Sequence, residues 1–139
     1  MNWRELATSS QYETAKAIKQ ELVNGNAEEA ALGIEELIES LSRSDKRALR
    51  SQLIRLMAHI IKWKTQPEKS SGSWAGTIEN ARVEIDELLE FEPSLKPSVS
   101  GLLTELFPKA QRIAEKEMSR KSEITELSAQ EVFEDTYEV

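Results

Sequence analysis

The stretch LRSQLIRLMAHIIKW, residues 49–63, decides the fold class of this chain. Its apolar side chains Leu49, Leu53, Leu56, Ile60 and Trp63 follow one another at intervals of four, three, four and three residues. These intervals place them on one face of an α-helix. A second apolar series widens that face, and it consists of Ile54, Met57 and Ile61. A face this wide predicts a helix in the middle of a bundle, in contact with several neighbours.

Apolar residues recur at helical spacing through most of the chain, and no segment alternates for long enough to indicate a β-strand. We therefore predict an all-α protein, a compact up-and-down bundle of four to five helices. Capping residues and helix breakers set the boundaries. The predicted helices run from Ser9 or Ser10 to residue 24, from residue 26 to Ser42, from Ser44 to residue 63, from Trp74 to residue 88 and from Ser94 to residue 113. On the second of them we expect a buried face that consists of Ala30, Ile34, Leu37, Ile38 and Leu41.

Charge alternates between neighbouring predicted helices. Residues 43–69 carry eight basic side chains against Asp45 and Glu68, and the segments before and after them are acidic. A short turn around Arg43 would make the second and third helices antiparallel. Under this arrangement we expect Glu39 to lie near Lys46 or Arg47, and Glu35 or Glu36 to lie near Arg50. Pairing within the chain is then a better explanation of the basic segment than nucleic-acid binding.

The end of the chain differs from the rest in charge and periodicity. Pro108 interrupts the apolar face of the fifth helix, and we predict a kink there because proline removes one helical hydrogen bond. Residues 119–139 hold six acidic and two basic side chains. Ser128 and Glu131 are spaced as in a capping box. We therefore divide the chain into a helical bundle domain, residues 1–118, and an acidic tail, residues 119–139, which is either a short docked helix or disordered.

Composition excludes several kinds of chemistry. The chain has 139 residues, no cysteine and one histidine, so disulfides, cysteine-based metal centres and thiol nucleophiles are impossible. The formal net charge of −7 disfavours non-specific binding to nucleic acid and to anionic membranes. No secretory or membrane-spanning segment is recognisable, so we expect a cytoplasmic protein that does not bind membranes.

The only histidine, His59, lies beside the apolar stripe of the third helix. It belongs to a candidate polar surface that consists of His59, Lys62, Arg55, Gln66 and Ser73. A general base is one interpretation of His59, but the spacing of the sequence ties no hydroxyl or carboxylate to it. A histidine that is hydrogen-bonded at the edge of the core is the other interpretation. The sequence favours a non-catalytic protein over an enzyme, and we expect no catalytic residue, metal ligand or cofactor.

Two tryptophans flank a predicted loop at residues 65–72. Trp63 and Trp74 both occupy apolar helical positions, where large aromatic side chains usually belong to the core. We therefore expect both of them to pack inside the protein. An aromatic anchor for a binding partner is the alternative that the sequence leaves open.

Four short motifs resemble a known protein family. They are HIIKW at residues 59–63, QPE at 66–68, SWAGTI at 73–78 and PSLKP at 93–97. Residues 34–41 and 44–49 are similar to the segment that precedes this block in the same family. Together they resemble the bacterial domain-of-unknown-function family numbered twenty-nine, from about Tyr12 to Glu117. The resemblance implies a small helical bundle, and it implies no activity, because none is established for the family.

These observations favour a non-catalytic interaction module that uses a helix face or the acidic tail to bind another protein or a second copy of itself. Nucleic-acid binding through residues 43–69 is the alternative, although the net charge disfavours it. A small enzyme that uses His59 ranks last.

Overall fold

Six α-helices and two short 3-10 helices make up the structure, a computed structural model that describes all 139 residues. The α-helices are α1 (Trp3–Ser9), α2 (Gln11–Val23), α3 (Ala27–Thr65), α4 (Gly72–Phe91), α5 (Val99–Met118) and α6 (Ala129–Phe133). The 3-10 helices are Pro67–Lys69 and Pro93–Ser98. The predicted all-α class is confirmed. No helix combines the length and the apolar character that crossing a membrane requires.

The chain consists of two compact units, Met1–Lys46 (unit one) and Arg47–Val139 (unit two). Unit one has a small core in which Trp3, Ile18 and Ala30 are buried. Gly33 lies against this core, because an added Cβ atom would be 2.7 Å from Ile18 Cγ1 and 2.9 Å from the Trp3 ring. Helix α1 was not predicted, although Asn2 caps it by accepting a hydrogen bond from the Glu5 amide.

The start and end of α2 agree with the sequence. Ser10 is its N-cap, and the Ser10 side chain accepts a hydrogen bond from the amide of Glu13 at 3.1 Å. Gly25, which follows the helix, has a φ of 81°. The predicted left-handed glycine is therefore confirmed, because only glycine adopts this conformation without a steric cost.

The predicted boundary between the second and third helices is wrong. Helix α3 runs for 39 residues without a break and includes both Ser42 and Ser44. Serine favours a helix cap but does not stop a helix, and residues 42–44 contain neither glycine nor proline. The predicted turn between the two segments is therefore absent.

Unit two contains the larger core. Leu49, Leu53, Leu56 and Ile60 are fully buried, as their spacing predicted. Residues of α4 and α5 complete the core, and among them are Ile78, Ala81, Ile85, Leu106, Phe107 and Ala110. The fifth predicted helix begins later than expected, because residues 93–98 form a 3-10 helix. Helix α5 continues through Pro108, and the kink at this residue stays a prediction.

Within unit two, the residues after α5 pack against its core. Leu127 and Val132 are buried there. The capping box predicted at Ser128 and Glu131 is present, because each side chain bonds to the backbone amide of the other residue. Helix α6 begins directly after this cap.

Candidate functional site

Three residues of the candidate polar surface, Arg55, His59 and Lys62, lie in unit two on the last turns of α3. Lys62 is 8% exposed, and its ammonium group donates a hydrogen bond to Glu117 of α5 at 2.9 Å. The same ammonium lies 5.0 Å from the centre of the Trp74 ring, within the range of a cation–π interaction. A buried ammonium needs such partners, because burial without them is very costly. The geometry therefore gives Lys62 a structural task.

His59 is half-buried beside Lys62. Its Nδ1 atom lies 3.0 Å from the carbonyl oxygen of Arg55, and since a carbonyl only accepts, Nδ1 carries the proton. Burial lowers the pKa of His59 from its usual 6.5, and the positive charge of Lys62 lowers it further. The Nε2 atom is then a free base at neutral pH. No hydroxyl of the chain is hydrogen-bonded to this ring.

The remaining residues of the candidate surface are not drawn together around the histidine. Gln66 is buried, and its backbone continues the hydrogen bonding of α3 by donating to the carbonyl of Lys62. Ser73 is exposed in the first turn of α4, and its side chain makes no hydrogen bond. The structure thus joins His59, Arg55 and Lys62 along α3 and adds Glu117, which the sequence did not indicate.

Three aromatic side chains pack against one another in the neighbouring part of unit two. The ring centres of Trp63 and Trp74 are 6.4 Å apart, and the Tyr137 ring lies edge-on to Trp63 at 5.8 Å. The Tyr137 hydroxyl donates to the carbonyl of Glu131 at 2.7 Å, and burial raises the pKa of Tyr137 to about 12. Arg82 lies 5.5 Å from this ring. Trp63 packs against the core and Trp74 is half-buried, as expected for packing residues.

The predicted ion pairs are replaced by others. Glu39 bonds to Arg43, one turn further along α3, at 3.6 Å. Arg50 bonds to Glu105 of α5. The expected pairs to Lys46, Arg47 and Arg50 required antiparallel helices, and the continuous α3 prevents them. Two more cations of residues 43–69 bind acidic partners: Lys62 binds Glu117 and Lys64 binds Glu131 at 2.7 Å.

An exposed apolar face on α3 is the feature of unit one that the sequence analysis missed. Ile34, Ile38 and Leu41 are 42%, 60% and 43% exposed, and we call these three residues the α3 stripe. They were expected to belong to a buried apolar face. The structure leaves the stripe exposed. Its apolar periodicity was visible in the sequence, but what covers it was not.

No group of three or more histidine, aspartate or glutamate side chains is arranged to hold a metal ion. The remaining candidates for a functional site are the histidine, the ion pairs of unit two and the α3 stripe. The first two are occupied by contacts within the chain. The stripe is the one that presents unused apolar area.

The two helical units and the α3 stripe belong to a small all-α protein. Comparison with models of known protein families assigns it to one of them. The chain matches the model of "Domain of unknown function DUF29" over residues 11–137. No curated protein and no solved structure matches it. The chain belongs to the DUF29 family, which confirms the resemblance found in the sequence. The match continues past Glu117, where we expected it to end, and includes most of the tail.

Proposed function

We propose that this protein is a non-catalytic protein–protein interaction module, and that the α3 stripe is its binding surface. The exposure of Ile34, Ile38 and Leu41 carries the proposal. Three large aliphatic side chains on one helix face, rimmed by charged residues, are typical of helix-mediated protein contacts. Complete burial of such a side chain contributes about 1.5–3 kcal/mol, so the stripe can supply the centre of an interface.

The acidic tail is a weaker candidate for the binding surface. Its apolar residues Leu127 and Val132 are already buried in the core of unit two. Its carboxylate Glu131 is already bound to Lys64. The helix face therefore has more unsatisfied apolar area to offer than the tail has.

An enzymatic role for His59 has little support. Its proton-bearing nitrogen is held by the carbonyl of Arg55, and the neighbouring charged groups Lys62 and Glu117 bind each other. A general base needs a substrate or a nucleophile within hydrogen-bonding reach. The arrangement is better suited to closing the edge of the core.

Nucleic-acid binding through residues 43–69 is disfavoured by the ion pairs. Arg43, Arg50, Lys62 and Lys64 each bind a carboxylate. These are four of the eight cations in the segment. A cation that is paired in this way contributes less to the phosphate attraction on which nucleic-acid affinity depends.

A binding experiment tests the proposed function. Three immobilised proteins are compared for their retention of a protein partner. They are the wild type, Ile38→Glu, which puts a charge on the stripe, and the control Leu32→Glu. Leu32 is 54% exposed and lies on the opposite side of α3, about 160° around the helix from Ile34. We expect the wild type and Leu32→Glu to retain a protein partner, another copy included, and Ile38→Glu to lose it. Equal retention by all three would contradict the proposal.

A further inference from the structure

We propose that the occupant of the α3 stripe is a second copy of this chain, with the two α3 helices antiparallel across a twofold axis near the centre of the stripe. The proposal rests on the function proposed above and names the partner. It is argued from the positions of three apolar residues and two charges of unit one.

The stripe has the shape that a helix pair requires. Ile34, Ile38 and Leu41 are separated by four and three residues, so they lie within about 60° of one another around α3. This spacing is that of the contact positions in paired helices, where an apolar side chain of one helix inserts between those of the other. A twofold axis through the middle of the stripe brings Ile38 of each copy near Leu41 of the other.

Two charged residues make the face complementary to itself. Glu35 and Lys46 both flank the stripe on one side of α3, about 90–110° around the helix from its centre, and Lys46 lies about three turns further along than Glu35. Neither has an ion-pair partner within the chain. In an antiparallel pair, Glu35 of each copy approaches Lys46 of the other, and the contact occurs twice.

The alternative, parallel arrangement leaves both charges without a partner. If the helices were parallel, the twofold axis would place Glu35 and Lys46 of the two copies on opposite sides of the pair, and neither charge would meet a partner. The charge order of α3 therefore selects the antiparallel pair among copies of this chain.

Sedimentation velocity of the full chain tests the apolar part of the proposal. We expect the wild type to show a concentration-dependent change from the mass of one chain to the mass of two. Ile38→Glu raises the dissociation constant by at least about tenfold, because two such side chains leave the interface. Leu32→Glu leaves the dissociation constant unchanged. Circular dichroism confirms that each variant keeps its helix content.

Charge reversal tests the orientation. Glu35→Lys and Lys46→Glu each place like charges opposite each other, so each variant alone dimerises more weakly than the wild type. A mixture of the two restores association, because one copy then presents two positive charges and the other two negative ones. The double variant Glu35→Lys/Lys46→Glu also restores it. Added salt weakens the wild-type dimer, as expected for attraction between exposed charges.

Four results would overturn the proposal. They are a wild type that stays monomeric at the highest concentration reached, a dimer that Ile38→Glu leaves intact, charge variants that the mixture does not restore, and a dimer that strengthens as salt is added. Failure of the dimer is distinguishable from failure of the proposed function. A monomer that still retains another protein through the stripe overturns the second copy and supports the interaction module, whereas a monomer that retains nothing overturns both.

Discussion

Gly33 shows how a single residue sets the packing of unit one. Glycine in the middle of a helix costs about 1 kcal/mol relative to alanine, so its presence in α3 needs a reason. The reason is the Trp3 ring and the Ile18 side chain, which lie where a Cβ atom would be. The sequence alone could not indicate this contact, because Trp3 precedes every helix that periodicity predicted.

The first prediction compares two glycine substitutions in helices. Gly33→Ala introduces a Cβ atom 2.7 Å from Ile18 Cγ1, and we expect a net loss of about 1 kcal/mol in the free energy of unfolding. Gly76→Ala in α4 meets no atom within 4 Å, and we expect a gain of about 0.5–1 kcal/mol. Urea denaturation measures both. Stabilisation by Gly33→Ala would contradict the packing described here.

The second prediction concerns His59, the only histidine. Burial lowers the pKa of His59 below 6.5, and so the folded protein favours the neutral ring. Its contribution to stability is present above pH 6.5 and is lost as the pH falls through the lower, folded value. An NMR titration of the ring protons should give a midpoint below 6.5, and titration in denaturant should return it to that value. A midpoint above 6.5 in the folded protein would refute the assignment.

At the level of the helices, sequence reasoning identified most elements and misjudged one connection. The buried series from Leu49 to Ile60 and the caps at Ser10 and Ser128 follow from local rules of spacing and capping, and all are present. The continuity of α3 does not follow from such rules. A serine at residue 44 can either cap a new helix or lie inside a continuous one. The tertiary structure decides between these two possibilities.

The third prediction tests that continuity. Asp45→Pro would be harmless if Ser44 capped a new helix, because proline is favoured at the first helical position. In a continuous α3 it removes a hydrogen bond and clashes with the preceding turn, so we expect a loss of about 3 kcal/mol or more. Gly72→Pro is the matched control, since Gly72 is the first residue of α4 and follows the extended residue Ser71. Equal free energies of unfolding for the two variants would contradict the continuous α3 and support a separate helix that begins after Ser44.

The fourth prediction concerns the docking of the tail within unit two. The hydrogen bond from Lys64, together with the amide of Ser128, lowers the pKa of Glu131 below 4.5. The contribution of Glu131 to stability is therefore present above pH 4.5 and is lost as the pH falls through its folded pKa. We expect amide protection of residues 129–137 to fall in that range for the wild type and for Glu134→Gln. In Glu131→Gln the protection should be lower from the start and less sensitive to pH.

For the whole molecule, the composition was enough to exclude cysteine chemistry, and the spacing of the apolar residues was enough to predict the all-α class that the six helices confirm. The candidate site was harder to predict. His59, Arg55 and Lys62 were recognised as polar residues on an apolar helix, but Glu117, the partner of Lys62, lies on α5, and that contact depends on packing. The α3 stripe was recognised as apolar and assigned to the core, because periodicity reports an apolar face and not what covers it.

The most direct test of the antiparallel pair is a distance between copies. Since the chain has no cysteine, a single introduced cysteine carries one spin label per copy. Dipolar spectroscopy then compares Glu39→Cys, near the centre of the stripe, with Glu28→Cys, near the start of α3. The account predicts that the distance between the labels is about 20 Å longer at residue 28 than at residue 39, because the helices run in opposite directions and the axial separation of the labels combines with their lateral separation. Equal distances at the two positions, or no dipolar coupling at either, would contradict it.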